Sequence, residues 1–489
     1  MKRKLTPTLT LWDAAKVTGH GSMWNWWHSC VARFRNLTEK TSGAGLAKQG
    51  LVVSDIESQF PKTKVNIDML LTSYTVAIRP TPRQKTVLKN ILRISNAAYN
   101  WCLWLVRERD VKPSLFDLQK IVCRAKLTDV PDNFRGPDTD FIFSDILPSK
   151  LTTVRLTACK TFVTHYKAAK KKTKNRARFK TKEIDDPVEG SFCVQKLYTR
   201  PVKEKDFRHD PARWQQKYIS LLPDAFGRVA NPTERYLLLS KSIDRIPPID
   251  HDFWVTLRPD GRFVLRIPCD SKYTRVQKGR TSNGAMCGVD PGSRAFVTVF
   301  DETRREAWQV GTIEDKRDVM VPIHKSIDEQ SKRLTKAIER KHQQEIKDRK
   351  KAIKRLWFRL KNRIDAIHAA VASHLVRHFD LVALGKINVS SIVKKKDETS
   401  RELPKCVKRH LLAWRHYSFR LRLQHRAQGT PCLVIVQNES YTSKTCGLCK
   451  AVNRNLGSSE TFECDKCKYV VHRDINGARN ILQKALNIF

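Results

Sequence analysis

Acidic residues are the scarce component of this 489-residue sequence: 49 Asp and Glu stand against 93 Lys and Arg, a formal net charge of +44. Solubility requires nothing of that size, and the natural counter-charge is a polyanion, nucleic acid first. Long apolar runs are missing too. No stretch approaches the roughly 18 residues of a membrane-crossing helix, so no membrane partner is expected. The opening MKRKLTPTLTLWD lacks an apolar core followed by a cleavage site, which argues against a secretory leader. The 13 cysteines are odd in number and, outside one cluster, scattered, as free thiols in a reducing, intracellular compartment would be.

That cluster is the most specific local pattern present. Cys446 and Cys449 form one CxxC, Cys464 and Cys467 a second, with fourteen residues between the pairs. Two close-bite thiolate pairs can close a tetrahedron around one Zn2+, with a small ribbon between two knuckles. Ordinary buried cysteines rarely take such spacing beside Gly447, Lys450 and Lys466. A closed four-thiolate shell leaves no position for water, so this zinc is structural and any chemistry lies elsewhere.

Around it the chain reads as several domains. Residues 1–70, with Trp24, Trp26 and Trp27 bunched together, are expected to be an extension, partly flexible. Ser73 to Arg79 alternates as a strand does, and apolar residues from Val87 to Ala98 recur at helical spacing. A second helix, Leu151 to Tyr166, runs into a basic segment, Lys167 to Lys180, without an acid. A solvated face would explain such a run, but phosphate binding or nuclear import suits it better. Runs at 236–239, 253–257 and 263–267 read as β, the last two flanking Pro259-Asp260-Gly261 as a hairpin. With the first strand they are expected to close a small barrel.

From about residue 283 a different unit begins. Strands are predicted at Met286–Val289, Phe296–Phe300, Glu306–Val310, Asp380–Leu384 and Cys432–Val436. No Pro or Gly occurs from Ile323 to His378, which predicts one long helix or a helical hairpin with a basic outer face. Lys394 to Arg409 reads as a polar connection, and Leu411 to Leu423 as one helix. Asp290, Glu439 and Asp474 each fall at a strand end or helix start, where distant segments can converge. Singly they would be a turn acid, a loop acid and a helix cap. Together they are the pattern that holds two Mg2+ ions for phosphodiester hydrolysis, since clustered carboxylates repel without a cation.

The segments CGVDPG, TSKTCGLC with CDKC, and HRDINGARNIL, in that order, resemble the split RuvC nuclease domain of TnpB proteins, relatives of type V CRISPR effectors. The likeness spans residues 283–489 and continues more weakly through YTVAIRPTPRQ, AAYN and RARFK. One departure stands out: the strand position that carries a catalytic Glu in TnpB is Gly385 here. Fanzor proteins, the eukaryotic relatives of TnpB, lack that acid and use a Glu just before the zinc ribbon, and Glu439 fits that place.

The Fanzor resemblance implies a multidomain α/β and α+β protein. An RNase H-like RuvC domain (283–489) would carry the zinc ribbon at about 440–472. A wedge β-barrel (71–84 and 185–275) would hold an inserted helical recognition lobe (85–184). It implies a Mg2+-dependent, guide-RNA-directed DNA endonuclease with Asp290, Glu439 and Asp474 as catalytic metal ligands. Its target is double-stranded DNA beside a short flanking motif, met as a monomeric ribonucleoprotein in the nucleus. Two other functions fit the sequence: a guided DNA binder that lost catalysis with Gly385, and a structural RNA-binding protein.

Overall fold

The computed structural model describes residues 71–123, 152–173, 181–182, 187–207, 214–222, 225–226, 231–270, 284–393, 403–428, 430–457 and 459–487. The tryptophan-bearing extension and the end of the basic run, 174–180, lie outside them. Two compact units divide these residues, one within 68–276 and one within 277–489.

In the first unit, β1 (Leu71–Arg79) is followed by helix α1 (Pro82–Glu108). Thr81 and Gln84 form a reciprocal capping box with Pro82 in the first turn, so the start of this helix is written in four residues. Helices α2 (Leu115–Val122) and α3 (Thr152–Thr173) complete the helical part. Strands β2 (Gly190–Val194), β3 (Thr199–Pro201), β4 (Tyr218–Leu221), β5 (Leu237–Leu239), β6 (Phe253–Leu257) and β7 (Phe263–Asp270) join β1 in one sheet. Its order is β2-β6-β7-β1-β5-β4-β3. The 258–262 hairpin turns through Gly261 at φ +78, a conformation that favours glycine. Among the described residues β2 and β3 end the sheet without pairing to each other, so the closure expected of a barrel is not made by these strands. Helices and sheet share one core, with Leu92, Trp101 and Phe162 beside Phe192, Phe253 and Leu265.

The second unit starts with a meander of β8 (Met286–Pro291), β9 (Val297–Asp301) and β10 (Glu306–Val310). Helices α4 (Val321–Glu339) and α5 (Gln343–His378) form a hairpin. Lys341 turns it at φ +56, which explains why no glycine marked the turn. Strand β11 (Leu381–Gly385) then lies parallel to β8. The single helix expected from Leu411 is in fact two, α6 (Lys405–Trp414) and α7 (His416–Ala427). The break is Arg415, in the left-handed region at φ +51. The predicted polar connection therefore already turns helical at Lys405. Strand β12 (Leu433–Gln437) pairs parallel with β11, giving the sheet order β10-β9-β8-β11-β12. The small hairpin of β13 (Thr461–Glu463) and β14 (Val470–His472) leads directly into α8 (Arg473–Ala485).

Strand parity decides what faces what. Cys287, Val289, Val382 and Leu384 pack in the core built with α4, α5 and α7. Met286, Leu381, Ala383 and Ile435 pack instead with Ile481, Leu482 and Ala485 of α8. Strands covered on both faces read as continuous apolar runs, as Leu381–Leu384 does. With a period of two, Asp290 and Gly385 belong to the face that meets α8.

Candidate active site

Asp290 lies near the carboxyl end of β8, in register with Thr298. β8 and β11 are neighbouring parallel strands, with β9 flanking the first and β12 the second, so the strand order reverses between them, the position where open α/β sheets form a crevice. Glu439 follows β12 by two residues and Asp474 sits in the first turn of α8. The structure brings all three together. Burial, then the charges of Glu439 and Asp474, push the Asp290 carboxyl well above the usual carboxylate range, with Arg473 opposing them. Burial raises Glu439 from 4.5 to about 7. Burial is the first cause of both shifts, and neighbouring carboxylates add to it at Asp290 alone.

Two glycines make the room. A Cβ on Gly477 of α8 would lie 2.6 Å from Asp290 Oδ2, so the absence of a side chain there lets the carboxylate sit against the helix. A Cβ on Gly385 would lie 2.5 Å from Glu439 Oε1 and 2.9 Å from its Cγ. Glu439 thus occupies the space into which a side chain at the end of β11 would project. Its Oε1 is buried and has no hydrogen-bond partner among the described residues. An orphaned carboxylate oxygen of this kind costs free energy unless a cation or a donor meets it.

Asp474 does not cap its helix. The N-cap is His472, whose Nδ1 accepts from the Asp474 N–H at 3.3 Å. The carboxylate is thereby left for other partners. Lys316, buried in a π-helical turn spanning Lys316–Met320, donates to Ser293 O at 2.7 Å and to Arg294 O. It ties down the turn that follows Asp290.

The four cysteines sit beside this centre. Cys446 Sγ is 3.6 Å from Cys467 Sγ, Cys449 Sγ is 3.5 Å from Cys464 Sγ, and all four sulfurs lie within 4.8 Å of one another. A tetrahedron of thiolates about 2.3 Å from a zinc has sulfurs roughly 3.8 Å apart, so the donor set fits a metal ion. Against the push of burial, the backbone N–H of Cys467 and the Cys449 thiol draw Cys464 down to about 7, within reach of the thiolate form that metal binding needs. Among the described residues no other His, Cys, Asp or Glu group gathers so tightly; the three acids form a looser set.

Residues that sequence reasoning missed join the two sites. Asn476 Oδ1 accepts from the Gly447 N–H at 3.0 Å, and its Nδ2 donates to Thr445 O at 2.8 Å. Asn480 Nδ2 donates to Thr442 O at 2.8 Å and to Thr445 O at 2.6 Å. Gln483 Nε2 donates to Gly447 O at 3.1 Å. Spaced by four and three, these amides share one face of α8. They bolt the first knuckle to the helix that carries Asp474. The available signal was three amides on the buried face of an otherwise amphipathic helix.

Comparison with known proteins first gives a class: the family model described as Cas12f1-like, TNB domain matches residues 416–481. Among individual proteins, the chain is 30% identical over 301 residues to TnpB-like protein L770 of Acanthamoeba polyphaga mimivirus, covering 60% of this chain and 54% of that protein. It is 26% identical over 303 residues to the CRISPR-associated endodeoxyribonuclease Cas12f1 of Syntrophomonas palmitatica, covering 57% and 58%. The chain thus spans about half the length of these curated relatives. The cryo-EM structure of CasPhi-2 (Cas12j) bound to crRNA aligns over 85% of this chain and 98% of that one, at 10% identity and a TM-score of 0.44. The sequence matches support a place in the broad TnpB and Cas12 family.

Proposed function

We propose that this protein is a guide-RNA-directed DNA endonuclease whose RuvC-type centre is formed by Asp290, Glu439 and Asp474. One observation carries the proposal: Glu439, from beyond β12, fills the space at the end of β11 and leaves a buried carboxylate oxygen with no donor among the described residues, beside Asp290. The same substitution of Glu439 for an acid at Gly385 supports a likeness to Fanzor in particular. Similarity to a TnpB-like protein and to a CRISPR-associated endodeoxyribonuclease adds support.

Asp290, Glu439 and Asp474 would together hold the two Mg2+ ions of such a centre. When bound, such a pair supplies charge neutralisation at the phosphate and at both the attacking and the leaving oxygens. The protein's own part is placement. The β8 backbone and Gly477 fix Asp290, the vacancy at Gly385 receives Glu439, and His472 caps α8 in place of Asp474. The four cysteines, holding one structural Zn2+, and the three amides of α8 keep these segments in register.

Exchange of a DNA duplex for an RNA–DNA hybrid is nearly balanced in energy, so contacts to the backbone must tip it. A chain of net charge +44 has the cations for that, with the unit within 68–276 in the roles of wedge and recognition lobe. The test is direct. Ribonucleoprotein carrying its guide is incubated with Mg2+ and matched duplex DNA that bears candidate flanking motifs. Cutting by the wild type, and none by Glu439→Ala at equal target binding, is the expected result. Bound but intact DNA in both would make the protein a guided binder.

A further inference from the structure

Tyr441 stands two residues beyond Glu439 and is used by nothing described so far. Its side chain is 67% exposed, and its backbone holds φ +66, in the left-handed region that bulky residues avoid. The segment on either side is fastened. Thr442 N–H and Oγ1 donate to Glu439 O at 3.2 and 2.8 Å, and Lys484 Nζ donates to Ser440 O at 3.2 Å. Tyr441 O itself accepts from the N–H groups of Lys444 and Thr445 at 2.9 and 3.0 Å, and from Thr445 Oγ1 at 3.0 Å. Thr442, the next residue, is buried and gives its carbonyl to Asn480.

The chain is therefore clamped before, at and after an unfavourable conformation whose visible result is an aromatic ring held out in solvent. Strain that the surroundings over-determine gathers where a side chain must be presented. Packing does not explain this ring, because it is not packed. Lys444, also exposed, puts a cation on the same loop. An exposed ring with a neighbouring ammonium is the combination that receives a nucleobase and its phosphate.

We propose that Tyr441 stacks on a base of the DNA strand being cut, next to the phosphate presented to Glu439. The proposal rests on the nuclease reading above and deepens it by giving the centre a grip on an unpaired nucleotide. Every base has a π-face, so the contact fixes position without choosing sequence. A single strand satisfies it and a closed duplex does not, so the ring favours DNA already opened by the guide.

The experiment uses full-length ribonucleoprotein and a target whose cut site has been mapped. Wild type, Tyr441→Phe and Tyr441→Ala are compared on normal DNA and on DNA with an abasic nucleotide beside the cut phosphate, with zinc content and melting temperature checked for each. Tyr441→Ala should lose roughly ten- to hundredfold in kcat/KM, from the worth of one stacked base, and Tyr441→Phe should retain most of it. The abasic nucleotide should slow the wild type by a similar factor and slow Tyr441→Ala little further. Equal abasic penalties in both proteins would overturn the proposal, as would wild-type cutting by Tyr441→Ala. Weaker guide-RNA binding by Tyr441→Ala with unchanged cutting by the assembled complex would assign the ring to RNA instead. A wild type that cuts nothing removes the nuclease reading and this proposal together, whereas an unaffected alanine variant removes the tyrosine's role alone.

Discussion

The four cysteines and the three acids are both tied to α8, yet they are built on opposite plans. The thiols come from 22 consecutive positions, 446 to 467, so one short segment supplies all four at ligand spacing. The acids come from β8, the loop after β12 and α8, and meet only because a sheet and a helix bring them together. A closed site can be local because its work ends with holding the ion. A site that must admit a phosphate has to stay open on one side, and its walls are supplied by the whole domain. That contrast predicts where substitutions hurt function without hurting the fold.

The largest effect should come from Asp290→Asn. It keeps the shape and removes one charged ligand, so cleavage should fall roughly a thousandfold or more while guide and target binding persist. Gel separation of cut products beside a filter-binding titration reads both; parallel losses of binding and cutting would make Asp290 a structural residue. Cys464→Ser should come next, acting through the fold. Metal-binding free energy in such a ribbon is folding free energy, so bound zinc, proteolytic resistance of 440–472 and cutting should fall together. If the variant cuts normally with its zinc gone, the ribbon does not support the acids.

How much of this was visible beforehand follows the same line. The cysteine quartet and Glu306–Val310 could be read because spacing of two and three residues is a local signal, and β10 has the predicted bounds. Strands β3 and β4 escaped because Thr199–Pro201 and Tyr218–Leu221 are too short to show a period. The break at Arg415 escaped because a left-handed arginine leaves no compositional mark. Asp474 reads from sequence as a cap, and in the structure His472 does that work. At Gly385 the sequence shows a missing acid. Only the structure shows Glu439 in the space where a Cβ would stand.

That last point can be tested by moving the charge. In a Glu439→Ala protein the space at the end of β11 is free, so adding Gly385→Glu should restore part of the cutting lost by Glu439→Ala. In the wild-type background Gly385→Glu should impair cutting, because the new side chain meets Glu439 at 2.5 Å. No rescue in the double variant would mean that the two positions do not serve one site. A smaller effect is expected at the bolt between the sites. Asn480→Ala leaves the carbonyl of Thr442 short of a donor, while Thr445 O keeps the Asn476 amide, at a cost of about 1–3 kcal/mol. Zinc content should be unchanged while the melting temperature drops.

The smallest expected effect separates the two sites by pH. Glu439 has its folded-state value raised from 4.5 to about 7, and Asp290 is shifted in the same direction. A raised carboxyl favours the folded state below the unfolded value and loses that contribution as pH climbs through the folded one. Without Mg2+, the unit should therefore lose stability between about pH 4.5 and about pH 7 from Glu439, with Asp290 adding a loss of the same sign. Mg2+ favours the ionised carboxylates and should offset that loss, so the gap in melting temperature with and without Mg2+ should widen from about pH 5 to about pH 8. In Glu439→Gln, which cannot ionise, the gap should widen less. A thiolate site behaves differently, because its ligands must shed protons to hold metal and so bind better as pH rises. A chelator selective for zinc should accordingly destabilise the ribbon without flattening the Mg2+-dependent gap, and a gap of equal size at both pH values would remove the electrostatic account of the acids.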